Sequence, residues 1–352
     1  MSLSIGIQLT TRCNLTCTHC FLDGSVNDLS METLKNIISY AKVNGCTCLS
    51  LTGGEPALHP RFAEIVGALA GNNMTFTMIT NGQNFADTYQ RIPLIAETLR
   101  SVDFSLDGAT EEIHDLNRGN GTFRNVLRAV SICSYKSIPF GIRMTVTMRN
   151  IERLEEMALL AAKLGARELF ILPLQPTPGT ASLNLLPGPR DLDMIQEQVL
   201  RLRKIFRMKI TLTAGYYSRD LLFVCPTLMK DDLFVTSSDE VSFCCHLTNY
   251  AGGIKGTEMI ADLKKAGLRE AHQLIKKAVT GYKQNKTKDH ESGLLQRADY
   301  YPCWYCLKYF RKVDWMAEYP DNPWSADMLR QKSGGEEEHE TRQQAMIPEI
   351  CK

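Results

Sequence analysis

Short apolar runs and helical patterns alternate through the first half of the chain. Runs rich in β-branched residues predict six strands, at residues 4–9, 48–52, 74–80, 102–106, 140–148 and 168–172. Apolar residues at helical spacing predict helices between them, at residues 30–44, 61–70, 88–99, 123–134 and 151–164. Such alternation favours an α/β fold whose parallel strands are joined by right-handed crossovers. Six units are too few to close the common eight-fold barrel, so we expect an open, partial (β/α)6 barrel.

The first predicted helix carries its own boundary signals. Ser30 is a favoured N-cap residue, Thr33 stands at the position that faces such a cap, and Gly45 follows the last helical residue. We therefore expect the helix to begin directly after Ser30.

The regular alternation ends after the sixth strand. Residues 174–189 are rich in Pro and Gly and predict a linker, which a helix at 192–206 and a short strand at 209–213 follow. Residues 233–245 predict a hairpin, and residues 258–279 predict a helix.

Polar segments mark the rest of the chain. Residues 282–299 are predicted to be mobile, and the acidic segment from residue 333 to be solvated. The expected units are a partial barrel at 1–190, a bridging helix and strand at 191–224, a small α+β domain at 225–320 and a flexible tail at 321–352.

Composition narrows the range of partners. The 352 residues carry a formal net charge of +1, so the charge gives no reason to expect nucleic acid or an anionic membrane as partner. The chain has no run of about eighteen apolar residues that could span a membrane. Its N-terminus lacks the basic and apolar regions of a secretory signal. We therefore expect a cytoplasmic protein without membrane or nucleic-acid partners.

Twelve cysteines are unexpected in a reducing compartment, where disulfides are rare, and they favour metal or redox chemistry. Three of them lie within residues 13–20 and five within residues 225–306. Free cysteines outside such groups usually pack as small apolar side chains. We expect this of the four isolated ones, Cys46, Cys48, Cys133 and Cys351.

The first cysteine group directly follows the first predicted strand. Thiolate is the ligand that iron–sulfur clusters prefer. Cys13, Cys17 and Cys20 offer three thiolates in one loop, which favours a [4Fe–4S] cluster with its fourth iron open. A structural zinc ion with His19 as fourth ligand is the alternative, but tetrahedral closure by the adjacent His19 and Cys20 is awkward.

Distinctive residues also follow the next three strands. Gly53-Gly54-Glu55-Pro56 follows the second, Asn81-Gly82 the third and Asp107-Gly108 the fourth. In parallel α/β folds the active site lies at the carboxyl ends of the strands. We expect one site at this end of the barrel.

The cysteine spacing CX3CXΦC, with His19 in the Φ place, and the Gly-Gly-Glu-Pro turn resemble the radical S-adenosylmethionine (SAM) superfamily. The resemblance implies a [4Fe–4S] cluster on Cys13, Cys17 and Cys20 that cleaves SAM reductively to a 5′-deoxyadenosyl radical. That radical abstracts hydrogen from a substrate C–H bond, and the family implies a flavodoxin or ferredoxin as electron donor.

By the same resemblance, Glu55 is expected at the amino group of the methionine moiety and Arg118 at its carboxylate, with Leu172 against adenine. Taken singly, the residues outside the cysteine loop and the Gly-Gly-Glu-Pro turn could also be ordinary turn or core residues. The full set implied to contact SAM is His19, Gly53, Gly54, Glu55, Asn81, Ser105, Asp107, Arg118, Thr145 and Leu172.

The second cysteine group resembles the Twitch module, a shortened SPASM domain with one auxiliary [4Fe–4S] cluster. The resemblance implies four ligands for this cluster: Cys225, Cys244, Cys303 and Cys306. A structural zinc ion is the competing occupant. Cys245 is then left over, and either Cys244 or Cys245 could be the ligand. A spare thiol either packs or, as in the radical SAM peptide epimerases that it resembles, acts as a catalytic hydrogen-atom donor.

Three functions remain open from the sequence. The first is modification of a ribosomally made peptide, with epimerisation as one outcome. The second is a small-molecule natural-product enzyme, either a dehydrogenase or a sugar or aminocyclitol epimerase. The third is a non-catalytic zinc-binding scaffold, which would leave the strand-end residues unexplained.

Overall fold

The strands and helices alternate as the sequence predicts over most of the barrel. The computed structural model describes residues 3–213, 215, 225 and 232–324. The strands are β1 (Ser4–Thr10), β2 (Cys48–Gly53), β3 (Thr75–Thr80), β4 (Leu99–Ser105), β5 (Phe140–Val146), β6 (Glu168–Pro173), β7 (Lys209–Leu212), β8 (Asp232–Val235), β9 (Glu240–Ser242) and β10 (Met259–Asp262).

Most of the helices alternate with these strands along the chain, and the last two follow β10. They are α1 (Met31–Val43), α2 (Phe62–Ala70), α3 (Phe85–Arg91), α4 (Ile95–Thr98), α5 (Glu111–Arg118), α6 (Thr122–Tyr135), α7 (Leu154–Leu164), α8 (Pro178–Ser182), α9 (Pro189–Ile205), α10 (Leu268–Glu291) and α11 (Pro302–Tyr309). Short 3-10 turns lie at Pro56–Leu58, Ile151–Arg153, Arg297–Tyr300 and Asp314–Glu318. None of the helices in the described ranges is long and apolar enough to cross a membrane.

The six predicted strands form one parallel sheet in chain order. β1 to β6 pair consecutively and in parallel, as βαβ units require. β7 adds a further parallel strand beside β6. The partial barrel of six β/α units is therefore confirmed.

The strands that follow residue 231 belong to the same sheet. β8 pairs in parallel with β1, and Phe234 stands opposite Gly6. β9 and β10 then continue the sheet in antiparallel fashion, so the predicted hairpin is confirmed. The strand order is β10-β9-β8-β1-β2-β3-β4-β5-β6-β7. The proposed domain boundaries at residues 190, 224 and 320 remain predictions.

The sheet curves until the segments that follow β6 and β9 meet. Six strands separate β6 from β9 in the sheet order. Nevertheless Gln175, two residues after β6, has its Nε2 atom 3.3 Å from Nδ1 of His246, four residues after β9. Close by, the Tyr250 hydroxyl donates to the backbone carbonyl of Pro176. These contacts place the cysteines near β9 on the concave side of the barrel.

The two faces of the sheet differ in polarity. In β5, Ile142, Met144 and Val146 are fully buried against the helices, as the two-residue period of a strand requires. Arg143 and Thr145 point to the opposite face and are only half-buried. This second, concave face is called the inner face below.

Several predicted elements are wrong in detail. The helix predicted at residues 88–99 is broken near Pro93, which cannot donate a helical hydrogen bond, and Leu99 begins β4. Helix α5 was not predicted. The helix predicted at 258–279 begins at Leu268, because residues 259–262 form β10.

Two segments expected to be loose are ordered. Helix α10 extends to Glu291, and Tyr282 and Asp289 within it are buried, so most of the predicted mobile segment is packed. The predicted linker at 174–189 contains α8 and buries Leu185 and Leu186. Residues 214 and 216–224 of the predicted bridge, most of the tail and Cys351 lie outside the described residues.

Candidate active site

The Gly-Gly-Glu-Pro turn packs against the backbone that leads into the cysteine loop. Gly54 N donates to Thr10 O at 2.8 Å, and Glu55 N donates to Arg12 O at 2.7 Å. A Cβ atom on Gly54 would lie 2.4 Å from Arg12 O, and one on Gly53 would lie 2.4 Å from Thr10 O. Only glycine permits this approach, so the turn braces the entry to the cysteine loop.

The Glu55 carboxylate joins the ends of β2 and β3. It accepts hydrogen bonds from the Thr80 hydroxyl at 2.9 Å and from Asn81 N at 2.8 Å. Only 1% of Glu55 is exposed, and burial raises its pKa to about 7 although the hydrogen bonds act in the opposite direction. The contacts of its side chain are therefore within the protein, and its expected contact with methionine remains a prediction.

Asn81 lies against the cysteine loop. Its side-chain amide donates to Asn14 Oδ1 at 2.8 Å and lies 3.7 Å from Cys13 Sγ. Its own Oδ1 accepts from Gln83 N at 3.0 Å, which fixes the orientation of the amide. Asn81 therefore directs an N–H group toward one of the predicted cluster ligands.

A buried ion pair lies below the loop. Asp107 has no exposed surface, and its carboxylate accepts from Arg118 Nε at 2.5 Å and from Thr145 N at 2.8 Å. Burial is the largest single cause and would raise the pKa of Asp107, but the Arg118 charge, the neighbouring His19 and the hydrogen bond from Arg118 together hold that pKa below its usual value. The Asp107 carboxylate thus supports Arg118, and its expected contact with SAM remains a prediction.

The Arg118 side chain extends from Asp107 to the cysteine loop. Its Nη1 atom is 4.0 Å from Cys17 Sγ, which places a positive charge beside a predicted iron ligand. His19 Nε2 lies 3.5 Å from Asp107 Oδ2, while His19 Nδ1 is buried without a hydrogen-bond partner among the described residues. Burial lowers the pKa of His19 to about 4, so the imidazole is neutral near pH 7.

The structure adds two residues that the sequence reading missed. His114 Nδ1 accepts from Asp107 N at 3.0 Å, and the Asn150 amide donates to the carbonyls of Asp107 and Thr145, both at 2.9 Å. His114 precedes Arg118 by four residues and shares its helix face in α5, a spacing that could have indicated it.

Ser105, Thr145 and Leu172 are half-buried near the carboxyl ends of β4, β5 and β6. They lie at the same end of the sheet as the cysteine loop, as predicted. Their expected contacts with SAM remain predictions.

The first cysteine group offers three free thiols close to one another. Burial is the largest cause of the raised pKa of Cys13. Burial also raises the pKa of Cys17 to about 11, and the neighbouring Cys20 acts in the same direction on both thiols. Iron binding would replace the thiol protons of these cysteines and offset the repulsion between their neighbouring sulfurs.

Across the described ranges, no three or more His, Cys, Asp or Glu side chains converge on a point that could hold one metal ion. The thiolates of a cubane bind different irons and enclose a larger volume.

The second cysteine group is gathered in the interior. The pKa of Cys303 is raised well above its usual value, first by burial and then by the nearby Cys225, Cys306, Cys244 and Cys245. Thiols from three separate segments of the chain therefore lie within electrostatic reach of Cys303.

Gly215 leaves the space that Cys303 occupies. A Cβ atom on Gly215 would lie 2.2 Å from Cys303 Sγ, and Gly215 has a φ of +92° that favours glycine. Cys303 N also donates to Gly215 O at 3.1 Å. Glycine at this position therefore permits Cys303 to reach the other thiols.

Cys245 differs from the other four thiols in its surroundings. Its pKa is lowered, mainly by a hydrogen bond with Cys244, and the Arg143 charge acts in the same direction. Five strands separate β5, which carries Arg143, from β9, so the two residues approach each other across the inner face.

Comparison with known proteins agrees with this geometry. The model of the Radical SAM superfamily matches residues 7–161. The mycofactocin maturase MftC of Mycobacterium tuberculosis (strain CDC 1551 / Oshkosh) is 32% identical over 168 residues, covering 45% of this chain and 41% of that protein. The AdoMet-dependent heme synthase of Methanosarcina barkeri is 30% identical over 226 residues, covering 61% of this chain and 63% of that protein.

The chain thus spans about two fifths of the length of the maturase that it matches. Among solved structures, Streptococcus suis SuiB bound to its precursor peptide SuiA is similar, with a TM-score of 0.61 and 14% identity. The similarity covers 77% of this chain and 64% of SuiB, and at that identity it concerns the fold. The matched segment contains the cysteine loop, the Gly-Gly-Glu-Pro turn and the Asp107–Arg118 pair, so residues 7–161 are similar to the radical SAM superfamily where the candidate site lies.

Proposed function

We propose that this protein is a two-cluster radical SAM enzyme that removes hydrogen from a C–H bond of a peptide substrate. The observation that carries the proposal is the position of Cys245, a fifth thiol beside the four predicted auxiliary ligands and within electrostatic reach of the inner face. Peptide as substrate is supported by the similarity to SuiB, whose structure holds a precursor peptide.

The cysteine loop would hold the first [4Fe–4S] cluster through Cys13, Cys17 and Cys20. When bound, this cluster supplies one electron for the cleavage of SAM to methionine and a 5′-deoxyadenosyl radical, which takes the substrate hydrogen. Arg118 and Asn81 place N–H groups near two of the ligand sulfurs. Asp107 accepts from Arg118, and Thr80 donates to Glu55, so these side chains are fixed at this end of the barrel.

The second [4Fe–4S] cluster would be held by Cys225, Cys244, Cys303 and Cys306, in a module of the Twitch type. The burial of these thiols and the space that Gly215 leaves for Cys303 support this ligand set. Tyr282 lies within 3.0 Å of Cys306 Sγ and can donate to it when it is a thiolate. The electron donor would be a flavodoxin or ferredoxin.

Cys245 would serve as the hydrogen-atom donor of an epimerisation. The Cα–H bond of one peptide residue breaks homolytically, and the Cys245 S–H hydrogen then adds to the carbon from the other side. The sulfur is left one electron short, so it must recover one electron from the external donor and one proton from solvent. The product is an isomer of the substrate with no net change in mass.

A small-molecule substrate is the second candidate. It is supported by the relative from Methanosarcina barkeri, whose name assigns it heme synthesis instead of peptide maturation. A dehydrogenase or a sugar or aminocyclitol epimerase would use the same two clusters. In a dehydrogenase the auxiliary cluster would accept the second electron.

The test uses anaerobically reconstituted full chain, SAM, dithionite and the short precursor peptide expected to be encoded beside its gene. Two cubanes predict about eight irons per chain. In deuterated water, epimerisation predicts one deuterium per modified residue and formation of 5′-deoxyadenosine. Cys245→Ala should still form 5′-deoxyadenosine but no deuterated product, whereas the control Cys133→Ala should behave as wild type.

Other results would contradict parts of the proposal. Loss of two hydrogens from the peptide would favour oxidation or crosslinking over epimerisation. About four irons together with zinc would contradict the auxiliary cluster. No 5′-deoxyadenosine with any substrate or with dithionite alone would contradict radical SAM chemistry altogether.

A further inference from the structure

A charged pair lies on the inner face and includes none of the predicted cluster ligands. Arg143 of β5 contacts Asp103 of β4, with Nε at 3.1 Å and Nη2 at 3.0 Å from Oδ2. The guanidinium carbon of Arg143 lies 4.2 Å from the ring centroid of Phe170 in β6. Because three neighbouring strands fix this cation, its position is defined before any ligand arrives.

The charges around this pair are unequal. Arg167 also contacts Asp103, with Nη2 at 3.5 Å from Oδ1, so two guanidinium groups share one carboxylate. The next carboxylate, Glu168, is paired with Lys209 at 3.0 Å. Within the described ranges, this group therefore has one more positive than negative charge.

Arg143 keeps one edge of its guanidinium available. Its side chain is 24% exposed although it lies inside the barrel. The contacts with Asp103 use Nε and Nη2, and Nη1 has no acceptor among the described residues. An arginine in this state can bind a second carboxylate through two parallel N–H groups.

The pair lies on the same face of β5 as the predicted SAM site. Arg143 precedes Thr145 by two residues on β5, and Thr145 N donates to Asp107 Oδ1 at 2.8 Å, next to the cysteine loop. A carboxylate held by Arg143 would therefore lie on the face of the sheet that carries the predicted SAM site.

We infer that the Arg143–Asp103 pair is a binding site for a carboxylate of the substrate. The inference rests on the proposed function and adds the chemical class of the substrate to it. The carboxylate can belong to a peptide, as a C-terminus or an acidic side chain, or to a small organic acid. Asp103 and Phe170 are positioning residues, because they act through the orientation of Arg143.

The binding test compares an acid with its neutral amide. The probes are N-acetylglycine and N-acetylglycinamide, titrated by saturation-transfer NMR into reconstituted, SAM-loaded full-length protein. We expect the acid to bind about tenfold more tightly than the amide, as charge-assisted hydrogen bonds predict. The longer acid N-acetyl-Ala-Ala-Gly should bind more tightly still if the natural ligand is a peptide, and equally tightly if it is a small acid.

Three variants assign the effect to Arg143. Arg143→Gln should abolish the preference for the acid, and Arg143→Lys should retain part of it because the charge remains while the planar fork is lost. Arg153→Gln is the matched control, since Arg153 is an exposed residue paired with Glu156 and loses the same charge. Circular dichroism melting curves of each variant establish that it is folded.

The outcomes separate this inference from the proposed function. Equal binding of acid and amide to wild type, or an unchanged preference in folded Arg143→Gln, would overturn the carboxylate site. Formation of 5′-deoxyadenosine with dithionite is measured in the same samples. If it forms while the preference is absent, only the carboxylate site is wrong; if it does not form, the proposed function fails as well.

Discussion

The Tyr282 hydroxyl lies 3.0 Å from Cys306 Sγ, between helices α10 and α11. The ring is buried and contacts Phe243, Tyr305 and Tyr309 at centroid distances of 5.1–5.5 Å. Burial raises the pKa of Cys306, and the hydrogen bond with Tyr282 opposes that rise. A phenol held in this way favours negative charge on the sulfur.

This contact predicts a change in redox potential. Hydrogen bonds to the ligand sulfurs raise the potential of an iron–sulfur cluster, because they stabilise its more negative, reduced form. Tyr282→Phe should lower the midpoint potential of the auxiliary cluster by an amount on the order of tens of mV. Electron paramagnetic resonance during a redox titration measures it. Tyr300→Phe, which loses a hydroxyl that contacts His290, should leave the potential unchanged.

A second prediction concerns the space beside Cys303. Gly215→Ala would place a methyl carbon 2.2 Å from Cys303 Sγ, so the thiol must move. We expect iron to fall from about eight to about four per chain, with the cysteine-loop cluster retained. Gly165→Ala is the control, because Gly165 also has a positive φ, +83°, but has no neighbour within 4 Å of the added carbon. Equal iron loss in both variants would mean that backbone strain is responsible, not the clash.

A third prediction follows from Asp115, which binds the start of α6. Its carboxylate accepts from Phe123 N at 2.9 Å and from the Thr122 hydroxyl at 3.0 Å. Burial is the largest single cause and opposes ionisation, but the hydrogen bonds together hold the pKa of Asp115 below the usual 3.8. A lowered pKa stabilises the fold above pH 4, and that stability is lost as the pH falls through the pKa of the folded state.

Asp115→Asn should therefore lower the free energy of unfolding by about 1 kcal/mol at pH 7. The difference from wild type should shrink as the pH falls below about 4, because both side chains are then neutral. Urea unfolding at several pH values measures it. A difference that is independent of pH would show that the charge of Asp115 is irrelevant.

The buried pair of Asp107 and Arg118 gives a fourth prediction. Removing one partner of a buried ion pair leaves the other charge without compensation, which costs about 3 kcal/mol. Asp107→Asn should have an effect of this size on urea unfolding. Asp87→Asn breaks an exposed pair with Arg91 and should change stability by less than about 0.5 kcal/mol. If both substitutions had the same small effect, Asp107 would not be the support of Arg118.

Local signals in the sequence predict much of the barrel. Ser30 caps α1 as expected, since its side chain accepts from Thr33 N. The signals fail where a distant partner decides the structure: residues 259–262 become a strand because they pair with β9. Tyr282 lies in a polar stretch, but the aromatic residues that bury it come from other segments.

In the candidate site, too, local sequence signals predict some residues, whereas contacts between distant segments determine others. Cys13, Cys17 and Cys20 are recognisable from spacing alone, because one loop carries all three. Arg143 and Asp103 carry no such signal, since the register of β4 and β5 and the curvature of the sheet bring them together. The burial of Asp107 also cannot be predicted from its local sequence, because it depends on how α5 folds back over the strand ends.

The pairing of β1 with β8 bears on how the chain acquires its fold during synthesis. The strands β1 to β6 leave the ribosome long before Asp232 does, so the edge of β1 that pairs with β8 stays without a partner during most of translation. An unpaired parallel edge is a template for aggregation. A shortened polypeptide that ends before β8 would keep this edge open, and we expect it to precipitate even though all six barrel strands are present.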